Sequence, residues 1–122
     1  MEKNSGNYVP ARGDVIWLTF SPQSGHEQSG RRPAIVVSPR DYNEKVGLAL
    51  CCPVTSRIKN YPFEVRITIK NKIDGVILAD QLRSLDWQER QADFIAPAPE
   101  EIVEQTVEKL SLLIKAEPER GE

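Results

Sequence analysis

The residues with the most chemical potential lie in polar segments between apolar runs of the chain. Ten of them are candidates for catalysis or substrate contact: His26, Glu27, Gln28, Arg31, Arg32, Thr55, Ser56, Lys59, Asp80 and Gln81. They include carboxylates, guanidinium groups and hydroxyls, but His26 is the one histidine of the sequence. No HExxH, paired CxxC or EF-hand spacing accompanies them. The sequence therefore favours chemistry that uses no metal and no cofactor.

Cleavage of RNA is one reaction that such a set could perform. RNA carries its own nucleophile, the 2′-hydroxyl, so a protein has to align it with the phosphate, stabilise the added negative charge and move two protons. The planar fork of Arg32 matches two phosphate oxygens. The hydroxyl of Thr55 could hold a non-bridging oxygen, and a carboxylate or histidine could take the proton.

Each candidate also has a purely structural interpretation. Arg32 could be an exposed charge before a strand, and Thr55 and Asp80 could satisfy turns. Trp17 and Phe20 are expected in the core rather than as platforms for stacked bases. Taken alone, the residues indicate a compact β domain with a polar, partly basic loop face.

Charge is unevenly distributed along the chain, although the net charge is only −2. Between positions 31 and 61 the bases are Arg31, Arg32, Arg40, Lys45, Arg57 and Lys59, and the acids are Asp41 and Glu44. Acids dominate positions 98–122 instead. A local basic surface would suit a polyanion, although such clusters are also typical of solvated faces.

Length and composition indicate one domain in the cytoplasm. The 122 residues, 39% hydrophobic and 28% charged, are typical of a single globular domain. No apolar run reaches the ~20 residues of a membrane span, and the start lacks a signal-peptide core. Cys51 and Cys52 are neighbours whose disulfide would be strained, so we expect reduced thiols packed as small hydrophobic groups.

Apolar periodicity predicts several short strands followed by one helix. Strands are expected at 14–20, 34–37, 46–52, 64–69 and 76–79, with a further short one within 91–95 and a helical turn at 39–43. Pro53 is expected to end the third strand. The helix begins after Pro99, and its core-facing residues are expected to be Val103, Val107, Leu110 and Ile114.

This order of elements predicts a mainly β (α+β) fold, a small bent sheet or barrel capped by the helix. We expect a flexible N-terminal segment at 1–12, a single domain at 13–115 and an acidic tail at 116–122.

Several motifs follow one another in a familiar order. They are Tyr8-Val9-Pro10, Gly13-Asp14-Val15-Ile16-Trp17, Gly25-His26-Glu27-Gln28, Arg32-Pro33-Ala34, Pro53-Val54-Thr55-Ser56, Tyr61-Pro62-Phe63-Glu64-Val65 and Leu78-Ala79-Asp80-Gln81-Leu82-Arg83-Ser84. From about Tyr8 to Ile114 the chain resembles the MazF/PemK toxins, which include ChpB-like members, and it looks closer to the MazF branch.

That resemblance implies an SH3-like barrel of short antiparallel strands with a C-terminal helix, acting as a homodimer. It also implies the toxin of a type II toxin–antitoxin system, a sequence-specific, metal-independent endoribonuclease (an mRNA interferase). Such an enzyme cuts single-stranded RNA, leaving a 2′,3′-cyclic phosphate or 3′-phosphate and a 5′-hydroxyl. The implied partner is a cognate MazE-like antitoxin whose acidic tail covers the RNA groove.

The resemblance also implies residue roles. Arg32 corresponds to the catalytic arginine, Thr55 to its partner at the scissile phosphate, and Glu27 to a residue of a sensitive loop. His26 and Asp80 match PemK positions associated with proton transfer and substrate orientation. Gln28, Arg31, Ser56, Lys59 and Gln81 are expected substrate contacts. Leu78 stands where the PemK branch has an arginine, which leaves more of the chemistry to Arg32.

Two other functions stay open. One is a toxin of the same fold that binds and inhibits DNA gyrase, as CcdB does. The other is an inactive module that binds RNA or antitoxin. The Arg32 and Thr55 pair favours the ribonuclease, because a gyrase binder needs neither residue.

Overall fold

A computed structural model of the chain describes residues 7–20 and 30–118. His26, Glu27 and Gln28 lie outside the described residues. Along the chain, the described part forms β1 (Asp14–Phe20), β2 (Gly30–Val36), α1 (Arg40–Val46), β3 (Leu48–Thr55), β4 (Glu64–Ile69), β5 (Ile73–Leu78), β6 (Arg83–Asp86), β7 (Asp93–Pro97) and α2 (Glu100–Ile114).

The strands form one curled antiparallel sheet in the order β4-β5-β3-β2-β1-β7. The remaining strand, β6, pairs with the first half of β3, whereas β5 pairs with its last residues. The mainly β fold of short antiparallel strands with a C-terminal helix is therefore confirmed. Neither α1 nor α2, the helices of the described part, is long and apolar enough to cross a membrane.

Alternation of side chains along the strands divides the core into two faces. The first, which we call the helix face, contains Val15, Ile35, Cys52, Val54, Val65, Ile67 and Ile77 and is covered by Leu110 of α2. The second, which we call the Phe20 face, contains Ile16, Leu18, Phe20, Ala34, Val36, Ala49, Cys51, Leu85 and Trp87. Each central strand therefore contributes to two separate hydrophobic clusters.

Pro53 does not end the third strand, contrary to our expectation, because β3 continues to Thr55. Val37 donates its backbone N–H to Leu50 at 2.8 Å. In an antiparallel ladder, hydrogen-bonded and non-hydrogen-bonded pairs alternate, so Pro53 and Ala34 form a non-hydrogen-bonded pair. The position where Pro53 lacks an N–H thus faces away from β2. On that other side of β3 lies β6, but β6 starts at Arg83, opposite Cys51, and does not reach Pro53. The proline costs no hydrogen bond there.

Several boundaries also differ from the sequence-based expectations. β2 starts four residues earlier than expected, at Gly30, and α1 extends to Val46. β5 begins three residues earlier than expected, β7 is displaced to Asp93–Pro97, and β6 was not expected at all. The strands at 14–20 and 64–69 and the helix after Pro99 are confirmed.

Two expectations about burial were wrong. Phe20 is buried as expected, but Trp17 is 40% exposed, because it faces outward from β1 opposite Pro33. On α2, Leu110 is buried, but Val107 is exposed and Ile114 is 70% exposed. Periodicity alone therefore overstated the width of the buried face of α2.

The ordered domain begins earlier in the chain than the expected boundary at residue 13. Residues Tyr8 to Pro10, expected to be flexible, pack against the sheet: Pro10 is buried, and the Tyr8 hydroxyl donates to Asp14 at 2.7 Å. At the other end, α2 ends at Ile114.

Cys51 and Cys52 are buried free thiols, as expected. Burial raises the pKa of both, that of Cys52 to about 12.

Candidate active site

Strand register places Arg32 and Thr55 on the same face of the sheet. Ala34 lies opposite Pro53 in the β2–β3 pair, and both point to the Phe20 face. Arg32 and Thr55 each lie two residues further along their strand, so by alternation they point to this face too. Arg32 also lies opposite Leu18, a member of the Phe20 face. Both are half-buried, where the two strands cease to pair.

The backbone of Thr55 is held against β5 by a close approach at Gly75. A Cβ on Gly75 would clash with the Thr55 carbonyl oxygen and lie 2.9 Å from the Thr55 carbonyl carbon, closer than real Cβ atoms come. It would also lie a tight 3.2 Å from the Cα of Ser56. Thr55 pairs with Val76 in this ladder. The absence of a side chain at Gly75 therefore sets how closely the end of β3 can pack, and hence where the Thr55 hydroxyl lies. That hydroxyl accepts a hydrogen bond from the Arg57 N–H at 3.2 Å.

The β3–β4 loop, residues 56–63, carries Ser56 and Lys59 on the surface. One carboxylate organises its backbone: Glu64 accepts the N–H of Lys59 at 3.1 Å and that of Tyr61 at 3.3 Å. The Lys109 ammonium of α2 donates to the Pro62 carbonyl at 2.7 Å. These hydrogen bonds hold the β3–β4 loop in place, so that its exposed cations, Arg57 and Lys59, lie at a defined position next to Thr55.

Asp80 lies in the turn after β5 and contacts the same loop. The exposed Tyr61 hydroxyl donates a hydrogen bond to the Asp80 carboxylate, and this bond, with the charge of Asp80, raises the pKa of Tyr61. The backbone supports the contact, since Ala79 donates to Phe63 at 3.0 Å. Gln81 is half-buried and donates its N–H to Leu78. The turn that holds Asp80 and Gln81 is thus joined to the β3–β4 loop.

Arg31 lies apart from these residues. It is opposite Thr19, on the face away from Arg32. Its guanidinium forms an ion pair with Asp93 at 3.0 Å and donates to the Gln91 carbonyl at 2.7 Å. These bonds tie β2 to the segment before β7. The role of Arg31 in substrate binding stays a prediction, and the structure gives the side chain a separate structural task.

Arg83 was not among the site residues expected from the sequence. It pairs with Cys51 at the start of β6, so it belongs to the Phe20 face. Its guanidinium carbon lies 5.4 Å from the centre of the Phe20 ring. The Nη1 atom is shielded from solvent and has no hydrogen-bond partner in the described part of the chain. The motif Leu82-Arg83-Ser84 contained this residue, but only three-dimensional packing distinguishes its guanidinium from an ordinary surface charge.

Metal ligands do not cluster in the described ranges 7–20 and 30–118, where no three His, Cys, Asp or Glu side chains come together as a possible site. The groups that do meet at the end of the β2–β3 pair are a guanidinium, hydroxyls and a carboxylate-bound tyrosine. Their chemistry is recognition and stabilisation of an oxyanion such as a phosphodiester.

Comparison with known proteins decides the family. Residues 11–114 match the model of the PemK-like, MazF-like toxins of type II toxin–antitoxin systems. The chain belongs to this family. It is 50% identical to the endoribonuclease toxin MazF of Escherichia coli strain K12 over 96 residues, which cover 78% of this chain and 86% of that protein.

Solved structures of the family have the same fold. MazF from Deinococcus radiodurans matches with a TM-score of 0.84 and 51% identity, over 88% of this chain and 98% of that one. MazF in a MazE–MazF crystal structure (Form-II) from the same organism matches with a TM-score of 0.80 and 51% identity, over 88% and 97% of the two chains. Family membership therefore disfavours the CcdB-like gyrase binder considered above.

Gly75→Ala tests the placement of Thr55. The new Cβ meets backbone atoms that cannot rotate away, so we expect a loss of about 1–3 kcal/mol in the free energy of unfolding. NMR should also show a shifted Thr55 methyl resonance. Gly47→Ala is the matched control: Gly47 has φ 82° and open space around it, so alanine costs about 1–2 kcal/mol there without moving Thr55. Equal Thr55 spectra in both variants would contradict this account.

Asp80→Asn tests the contact between the two loops. Because the Asp80 carboxylate stabilises the protonated phenol, its removal should lower the pKa of Tyr61 toward its ordinary value of about 10. A pH titration of the Tyr61 ring carbon by NMR measures this change. Asp74→Asn, on β5, is the control and should leave that pKa unchanged. An unaltered Tyr61 titration in Asp80→Asn would show that the two side chains do not interact.

Proposed function

We propose that this MazF-like toxin is an endoribonuclease that cuts single-stranded RNA at a short sequence without a metal ion. The observation that carries the proposal is the convergence of Arg32 and Thr55 on the Phe20 face, at the point where β2 and β3 separate. The endoribonuclease MazF of E. coli, half identical in sequence, supports the reaction class.

The proposed reaction is an intramolecular displacement at phosphorus. The 2′-hydroxyl oxygen forms a bond to the phosphorus as its proton passes to a base, and the bond to the 5′-oxygen breaks as that oxygen receives a proton. The products are a 2′,3′-cyclic phosphate, which water can open to the 3′-phosphate, and a 5′-hydroxyl. The cyclic phosphate forms without added water, oxidant or reductant.

Arg32 and Thr55 would act on the phosphate itself. As the phosphorane forms, its non-bridging oxygens gain negative charge, and the Arg32 guanidinium can donate two parallel hydrogen bonds to them. The Thr55 hydroxyl can orient a third oxygen. Their half-buried position strengthens these interactions, because the local dielectric is lower than that of water. Glu27, His26 and Asp80 are the proposed candidates for proton transfer.

The loops beside this pair are the proposed substrate-binding surface. Ser56 and Lys59 are exposed next to Thr55, and Asp80 and Gln81 adjoin them through Tyr61. Gln28 and Arg31 remain proposed contacts. A polyanion is a fitting ligand for Arg57 and Lys59, for which the described residues show no ion pair with an acid.

The proposed partners are a second copy of the chain and an acidic antitoxin. D. radiodurans MazF crystallises with MazE, which supports an antitoxin partner for the present chain as well. We propose that this chain and its antitoxin meet in the cytoplasm. The end of α2 exposes Leu112, Leu113 and Ile114, an apolar surface that a dimer would cover. Light scattering should give twice the 13.8 kDa of one chain, and bound antitoxin should stop RNA cleavage.

Arg32→Ala is the direct test. Purified protein is incubated with a long unstructured RNA in EDTA, and the ends of the products are mapped. Wild-type protein should cut at one recurring short sequence, and Arg32→Ala should be slower by at least about 10²-fold, because a transition-state donor is lost. Arg40→Ala, which removes an exposed arginine paired with Glu44, is the control and should cut normally. Intact RNA with folded wild-type protein, or an unaffected Arg32→Ala variant, would refute the proposal.

A further inference from the structure

Arg83 is an arginine in an unusual position for one that serves folding alone. It is half-buried, and its Nη1 atom is shielded from solvent and has no hydrogen-bond partner among residues 7–20 and 30–118. Three other arginines of the described residues form ion pairs: Arg31 with Asp93, Arg40 with Glu44, and Arg66 with Asp74. The guanidinium of Arg83 instead makes a cation–π contact with the face of the Phe20 ring.

A purely structural role for this guanidinium is unfavourable. Removing a cationic donor from water without giving it an acceptor costs more than a cation–π contact returns. A methionine or leucine at this position would cover Phe20 without that cost. An arginine here is therefore explained better by an anion that completes its hydrogen bonds in the complex than by packing in the free protein.

The location of Arg83 indicates which anion this is. Its strand partner Cys51 and its ring partner Phe20 both belong to the face that carries Arg32 and Thr55. Phe20 lies opposite Gly30, two residues along β2 from Arg32. Two strand residues span about 6.6 Å, so Arg83 is displaced from the phosphate between Arg32 and Thr55.

We propose that Arg83 binds a second phosphate of the RNA, a neighbour of the one that is cut, and so holds the strand in place for cleavage. This inference rests on the proposed function and deepens it. The oxygens of a phosphodiester would accept hydrogen bonds from the guanidinium, while the Phe20 ring keeps the guanidinium oriented. Arg83 contributes to substrate affinity and leaves the bond-breaking step to Arg32 and Thr55.

The test compares Arg83→Met, Arg83→Lys and Arg40→Met, the last being a matched loss of one exposed charge. Affinity is measured at several salt concentrations, using an RNA with a 2′-deoxynucleotide at the mapped cut so that it binds without being cleaved. Steady-state cleavage of the ordinary RNA gives kcat and KM, and thermal unfolding gives Tm. Wild-type cleavage is measured in parallel.

Arg83→Met should bind about 10- to 100-fold more weakly, because a charged hydrogen-bond donor to the phosphate is lost. The slope of log affinity against log salt should fall by about 0.7, the change for one phosphate contact of a single strand. KM should rise with little change in kcat, and Tm should be equal or higher, because the buried Nη1 donor that lacks an acceptor has been removed. Arg83→Lys should keep the salt slope, and Arg40→Met should match the wild type.

Three results would overturn the inference. One is unchanged affinity and salt slope in Arg83→Met. Another is weaker binding that accompanies a lower Tm at an unaltered salt slope, which would make the role structural. The third is weaker binding of an acidic antitoxin with unchanged RNA binding, which would assign Arg83 to that partner. If wild-type protein neither binds nor cuts RNA, the proposed function itself fails, an outcome separate from these three.

Discussion

Pairing of β2 with β3 is the constraint on which the site depends. The hydrogen bond from Val37 to Leu50 sets the register, and that register determines which side chains of the two strands share a face. Because side chains alternate with a period of two, a slip by one residue would turn Arg32 and Thr55 to opposite faces. Burial of Ala34 and Cys51 on one face and Ile35 and Cys52 on the other makes such a slip costly. The hydrophobic core thus positions the polar pair.

The end of β3 is where the architecture becomes specific. The pairing of this strand with β6 ends at Cys51, and from Val54 it pairs with β5, so Thr55 is held by a strand that does not hold Arg32. Gly75 permits the close approach of β5, and the contact between Tyr61 and Asp80 joins the neighbouring loops. The two groups proposed to act on one phosphate are therefore positioned by separate ladders.

Local sequence patterns predicted the strands with strong periodicity. They failed where an element forms only because a distant strand pairs with it. Residues 14–20 and 64–69 alternate cleanly and are strands, as expected. Arg83 to Asp86 has little strand propensity and becomes β6 through pairing with β3, which no local pattern shows. Ile114 fits the helical period but is 70% exposed. Sequence and resemblance indicated Arg32 and Thr55, but their common face follows from a long-range register. The significance of Arg83 depends on packing against Phe20, 63 positions away in the chain.

The central claim is that Arg32 and Thr55 act together on one phosphate, and a double-mutant cycle tests it most directly. Single-turnover cleavage rates at saturating RNA are measured for wild type, Arg32→Ala, Thr55→Ala and the double variant, with folding verified for each. Groups that stabilise the same transition state lose their effects non-additively, so the double variant should be far less impaired than the product of the two single losses. Strictly multiplicative losses would show that the two residues act independently and would contradict the account.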